Sequence, residues 1–139
     1  MNIPIAIAGG LTVLAFLAHT FVGLKETYAV APGKLVSPRS INNFDTIERN
    51  WIQALCAFQL VTIDLLILPT LLFVLAFTEL LEPRKTLTLI LAGWYALWGI
   101  IWLIQLSVLR RPGKDYLLLP QWMFCLACAG LLFLGAQSF

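Results

Sequence analysis

An all-α integral membrane protein, a four-transmembrane-helix bundle in up-down order, is the fold class this sequence predicts, and three observations predict it. Of 139 residues, 60% are hydrophobic and 12% are charged, against about 25% charged in an ordinary soluble domain. The charges are confined. All but Asp64 of the sixteen Asp, Glu, Lys and Arg residues lie within 25–49, 79–85 and 110–115. The stretches left between them, 1–24, 50–78, 86–109 and 116–139, each exceed the roughly 20 residues a helix needs to cross the hydrocarbon of a bilayer. One polytopic domain follows, with helices at about 3–24, 45–78, 87–109 and 117–137.

The first helix has a small-x-small sequence after it, Ala29-Val30-Ala31, of the form a signal peptidase cuts. No Lys or Arg precedes the apolar run, the run exceeds the usual length, and Lys25 and Glu26 intervene, so the segment is expected to stay as a membrane anchor. Ala8, Thr12, Ala15, His19, Gly23 and Glu26 recur at spacings of three and four. They form a seam of small residues of the kind that lets helix backbones approach inside lipid. His19, on that seam, reads either as a proton-responsive imidazole looking into the bundle or as a hydrogen-bonding strut between helices. It is the chain's single histidine, and no metal site is expected around it.

Pro32, Gly33, Ser37, Pro38, Ser40, Asn42 and Asn43 make 31–43 an irregular connection. Asp45 and Glu48 have the spacing of a capping box, which starts the second helix near 45, ahead of its apolar span. Pro69 is expected to kink that helix, freeing a carbonyl that needs another partner. Asp64 falls near the bilayer midplane, where inserting a carboxylate costs about 2.5–3.5 kcal/mol. It reads as an intramembrane proton or cation site, or as a neutral or water-bridged lock between helices. On a helical wheel Gln53, Cys56, Leu60, Asp64 and Ile67 share one face, and Gln59 and Thr62 point elsewhere. Two polar faces imply two protein neighbours. By depth Gln59 is nearer His19 than Asp64 is.

In the third helix Trp94, Trp98, Trp102 and Gln105 form a stripe. Such a stripe can wall a flat apolar ligand such as a quinone or a lipid tail, or simply fill space beside the small-residue first helix. No cofactor is predicted; quinone or lipid is the class the wall would suit, and one histidine with no Cys-x-x-Cys-His sequence argues against haem. Arg110-Arg111-Pro112-Gly113-Lys114 is a tight turn into the fourth helix. There Cys125 and Cys128 have dithiol spacing but lie about eight residues inside an apolar segment without a basic neighbour, where thiols behave as small hydrophobes. Spacing and helix count loosely resemble the vitamin K epoxide reductase and quinone-linked disulfide oxidoreductase families. Those families relay electrons through a second, loop-borne cysteine pair, whereas the remaining cysteine here is Cys56.

The first and third connections hold seven Lys and Arg residues, against Arg84 and Lys85 in the second. Loops one and three are therefore expected in the cytoplasm and both termini outside. A net charge of +2 gives no footing for nucleic acid. No nucleophile elbow, phosphate-binding glycine loop, paired aqueous carboxylates or zinc-ligand spacing occurs, so no catalytic residue is assigned.

His19-Thr20-Phe21-Val22-Gly23 with Glu26, Cys56-Ala57-Phe58-Gln59-Leu60-Val61-Thr62 and Leu119-Pro120-Gln121-Trp122 carry a broader likeness. The chain resembles a group of small uncharacterised four-helix bacterial inner-membrane proteins with a histidine-glycine motif in helix one and an aromatic-histidine-leucine-x-threonine motif in helix two. Gln59 stands where that pattern has its second histidine. The resemblance implies a bacterial inner-membrane location and supplies no reaction.

The functional expectation is a small transport-type or accessory subunit with a polar intramembrane path for a proton, ion or small solute. His19, Thr20, Gln59, Thr62, Asp64 and Gln105 are its candidate polar core. Lipid, a second copy of the chain or a larger membrane complex are the expected partners. The alternative is a membrane-embedded oxidoreductase or quinone- or pigment-binding subunit using Trp94, Trp98 and Trp102.

Overall fold

The computed structural model describes residues 1–35 and 43–139, and everything described is helix or short connection. Ser37, Pro38, Arg39, Ser40 and Asn42 of the first connection lie outside the described residues. In order come α1 (Ile3–Ala18), a π-helical turn (His19–Gly23), α2 (Leu24–Ala29), α3 (Pro32–Leu35), α4 (Phe44–Phe77), α5 (Arg84–Val108), α6 (Gly113–Leu118) and α7 (Gln121–Ala136). Three helices are long and apolar enough to cross a membrane: the continuous run Ile3–Ala29, Phe44–Phe77 and Arg84–Val108. Gln121–Ala136 is apolar but has 16 residues, about 24 Å of helix.

The expected ends, connection and cap need four corrections, while the start of the second long helix near 45 agrees. The first helix runs on to Ala29 rather than stopping at 24, because the π turn carries it past Gly23 without a break. Pro32–Leu35 closes a helical turn inside the supposedly irregular connection. The second long helix begins at Phe44, with the Asn43 carbonyl accepting from the amides of Thr46 and Ile47. Asp45 therefore sits inside the first turn, where an acid suits the helix dipole, and is not the cap. The fourth segment breaks at Leu119–Pro120 into α6 and α7. Pro120 lacks the amide a continuing helix would need, and its carbonyl instead starts α7 by accepting from Met123 and Phe124. Pro69 carries the same Leu-x-Leu-Pro context, yet α4 runs through it.

The chain divides into two compact units, Met1–Leu11 with Pro69–Phe139, and Thr12–Leu68. In the first unit α5 packs along α7. The buried face of α5 is Thr88, Ala92, Tyr95, Gly99 and Leu106; that of α7 is Cys125, Cys128, Ala129, Leu132, Gly135 and Ala136. Both run at spacings of three, four and seven, the period of one helical face. Small residues set the distance. A Cβ on Gly99 would stand 2.9 Å from Leu126 side-chain carbons and 3.2 Å from the Trp122 carbonyl, and one on Gly135 would stand 2.6 Å from Ile5.

The ends of this unit are tied by polar groups that the charge pattern did not reveal. Asn2 caps α1, its Oδ1 accepting from the Ile5 amide at 3.4 Å, and its side-chain amide donates to the Gly135 carbonyl at 2.8 Å. Its backbone amide donates to the Ala76 carbonyl at 2.9 Å, so one residue joins the start of α1 to the ends of α4 and α7. Arg84 does related work at the start of α5. It donates to the Leu75 carbonyl at 3.2 Å, one of the last carbonyls of α4 that no helical amide reaches. It also lies over the Phe139 ring, 4.3 Å from its centroid, and 3.6 Å from Glu79. Beyond α5, Arg111 pairs with buried Asp115 through Nε at 2.6 Å and through its terminal nitrogen.

In the second unit the run Thr12–Ala29 lies antiparallel to the first part of α4, with His19 against Thr62 and Thr27 against Trp51. The Trp51 indole donates to the Thr27 carbonyl at 3.3 Å. Its ring meets Tyr28 edge-on at 5.9 Å, an arrangement aromatic pairs favour.

Candidate functional site

The site is built around the π turn. In an α-helix the Gly23 amide would reach the His19 carbonyl; here the Leu24 amide reaches it, so the turn holds one residue more. Such single π turns concentrate at functional positions. His19 and Gly23 of the sequence seam, with Thr20 next to His19, are in it.

Across from the turn, α4 presents Phe58 and Thr62 one helical turn apart. The Phe58 ring stacks on the His19 imidazole with centroids 3.8 Å apart and planes 14° from parallel. Gly23 makes room for that ring, since a Cβ there would stand 3.1 Å from its tip. His19 Nε2 lies 3.1 Å from the Phe58 carbonyl oxygen and 3.1 Å from Thr62 Oγ1. The Thr62 hydroxyl in turn donates to the Phe58 carbonyl at 3.1 Å. The imidazole is half-buried, so it is held in place without being sealed off.

Thr20 differs from four other threonines in or just past the long helices. Thr27, Thr62, Thr78 and Thr88 each donate to the carbonyl four residues back, the usual way a helix satisfies such a hydroxyl. Thr20 Oγ1 is buried with no hydrogen-bond partner among the described residues. It makes no such back-bond, and a buried unpaired hydroxyl calls for a reason.

The six candidate polar residues do not gather in one interior. His19, Thr20 and Thr62 belong to the site just described. Gln59 is exposed, and Gln105 is exposed on α5 in the other unit; both are corrected from core to surface. They were placed inside by polarity alone, and a glutamine can equally face outward. Asp64 is half-buried. The residues sharing its face point outward, Leu60 at 65% exposure and Ile67 at 49%, with Gln53 and Cys56 exposed as well. No described residue makes a hydrogen bond or ion pair with its carboxyl.

The tryptophan stripe is also on an outer face. Trp94 is 47% exposed and Trp102 38%, and Trp94 meets Trp98 at 6.2 Å. The inner face of α5 is the small-residue face with Tyr95, so the stripe neither fills a gap inside nor encloses a ligand within its unit. Cys125 and Cys128 are in no disulfide and are buried on the inner face of α7, and Cys56 is exposed in the other unit. Among the described residues no three of His, Cys, Asp and Glu come together as metal ligands.

Phe58 is the site residue that sequence reasoning passed over, although it lay inside a quoted motif. The signal was its position, four residues before Thr62, which puts its carbonyl beside that hydroxyl on any helix. No protein-family model, curated protein or solved structure matches the chain.

Proposed function

We propose that the chain is a small polytopic protein of a bacterial inner membrane, a transport-type or accessory subunit whose His19–Thr62 site is the polar step for a proton or small solute. One observation carries this reading: a half-buried imidazole, in a π turn, with Nε2 3.1 Å from both a hydroxyl and a main-chain carbonyl. In lipid such a group is costly unless it is partnered, and by default it marks a pathway. In this reading Gln121–Ala136, led in by Gly113–Leu118, forms a fourth span with the three longer ones. The seven-to-two distribution of Lys and Arg then sets both termini outside.

The Asp64 face supports an assembly with a second copy. A carboxyl flanked by outward Leu60 and Ile67 would meet hydrocarbon in an isolated chain, at the cost already given, and a neighbouring copy removes that contact. Cys56 lies on the same face and is the exposed cysteine. A short bis-maleimide should therefore link two chains through it in native membranes, and no linked dimer would count against this face as the contact.

Proton flux in reconstituted vesicles tests the path. His19→Gln is expected to keep the assembly and lose the flux; undiminished flux would remove His19 from the reading. An absorption spectrum and extraction of the purified protein test the alternative, since a bound quinone or pigment would move the assignment to the tryptophan face.

A further inference from the structure

The His19 ring faces two oxygens of different character. The Phe58 carbonyl can only accept a hydrogen bond, whereas the Thr62 hydroxyl can give one and take one. Both are 3.1 Å from Nε2, and the hydroxyl is itself 3.1 Å from the same carbonyl. Suppose Nε2 bore no proton. Its lone pair would face the carbonyl lone pairs at hydrogen-bond distance, and the one Thr62 proton could relieve either that oxygen or the nitrogen, not both. With a proton on Nε2 all three contacts are hydrogen bonds: the ring donates to the two oxygens, and the hydroxyl donates to the carbonyl.

We infer that Phe58 and Thr62 hold His19 as the Nε2–H tautomer, so that Nδ1 is the atom at which this site takes a proton or binds a hydrogen-bond donor. The hydrogen bonds of this ring to described residues all fall on Nε2. Nδ1 keeps its lone pair, and the neutral ring there suits water, hydronium, an alcohol, a phenol or an amine, whereas a carbonyl or an anion would find no donor. The Phe58 stack at 3.8 Å restrains the ring in this orientation.

Charge near the ring is sparse. On the facing helix the residues that touch it are Phe58 and Thr62; Asp64 is two positions further on a different face, and Arg49 is exposed more than two turns from Phe58. On its own helix the nearest charged residues, Lys25 and Glu26, are exposed. The ion pairs of the described residues, Arg84–Glu79 and Arg111–Asp115, belong to the other unit.

The inference names the working atom of the site proposed above and rests on that reading for its use, though not for its geometry. Because the chain has one histidine, ¹⁵N labelling of histidine in the full chain in lipid vesicles reports this ring alone. Two separate limiting signals are expected in the neutral ring, a protonated Nε2 and a bare Nδ1, with acidification changing Nδ1 from bare to protonated. A protonated Nδ1 with bare Nε2, or an averaged pair as in free imidazole, would overturn the inference. Thr62→Val removes one acceptor and leaves the carbonyl, so the Nε2 signal should move while Nδ1 stays bare; a tautomer reversal in that variant would also overturn it. Flux through His19→Gln vesicles decides the path reading separately. A locked Nε2–H ring with undiminished flux keeps the tautomer and ends the path, and an averaged ring with lost flux does the opposite.

Discussion

The two compact units use small residues and polar groups in opposite ways. In the unit of α5 and α7, Gly99 and Gly135 bring helices so close that an added methyl would collide, and the polar groups Asn2, Arg84 and Asp115 sit at helix ends with partners in place. In the unit around the π turn, the glycine makes room for a ring against a histidine, and the polar groups lie within the helical run with Thr20 unpaired. In the first arrangement each of these side chains has at least one partner, although the Arg84 Nε is buried without one among the described residues, and the close helix contacts favour rigidity. The second leaves a hydroxyl unpaired in the same turn that carries a half-buried imidazole, the feature on which the proposed path rests.

The sharpest way to break this contrast is at the glycines. Gly99→Leu places a branched side chain where a single carbon already stands 2.9 Å from Leu126 and 3.2 Å from a carbonyl. Overpacking costs about 1–3 kcal/mol, and more where backbone must move, so a loss of folded yield or a fall in Tm in detergent is expected. Gly93→Leu is the control, because nothing lies within 4 Å of its Cβ position. Equal behaviour of the two variants would show that α5 and α7 do not depend on that approach.

Arg111→Gln should come next. It leaves the buried Asp115 carboxylate without its half-exposed cation, and a buried acceptor left unpaired costs about 1–3 kcal/mol. Thermal unfolding measures it, and the double variant Arg111→Gln with Asp115→Asn should recover part of the loss. Failure to recover would mean that the arginine acts through packing alone. Asn2→Ala is expected to cost about 1 kcal/mol, the usual value of a helix cap, with an added loss from its bond to the Gly135 carbonyl. A cost below that of an isolated cap would show that the bridge to α7 contributes nothing.

Gly23→Ala should have the smallest effect on stability. The added methyl would meet the Phe58 ring at 3.1 Å, and a ring edge can move by a few tenths of an ångström where a backbone cannot. Stability should hardly change, while the ring signals of His19 shift with the displaced stack. A fall in Tm matching that of Gly99→Leu would make the two units alike and sink the comparison.

Much of the fold was legible because charge, Asp64 apart, is kept to the ends of the long helices and to their connections. What failed has physical reasons. Inside lipid both faces of a helix can be apolar, so hydropathy did not say that Thr88, Ala92, Tyr95 and Gly99 face inward while Trp94 and Trp102 face out; size was the better guide. The two Leu-x-Leu-Pro segments look alike, but Pro69 lies within a long apolar run while Pro120 closes a six-residue turn with charged residues at its start. Asn2 was readable, since an asparagine just ahead of an apolar run with a proline in its first turn is a helix-start signature. His19, Thr20 and Thr62 were found from their polarity. Their geometry was not, because a π turn changes the register of hydrogen bonds without changing the residues.

That extra residue is also a matter of angular phase. Each α-helical residue advances the chain by about 100°, so removing one residue elsewhere in Ile3–Ala29 would swing everything beyond it by that angle and turn Thr27 away from Trp51. Within His19–Gly23 the outcome is different. Dropping exposed Phe21 or Val22 lets the wide turn close as an ordinary one with both flanking stretches in their present phase. The π turn thus acts as an adjustable joint, the one stretch of this helix where its length can change by a residue while the faces on either side stay aimed as they are.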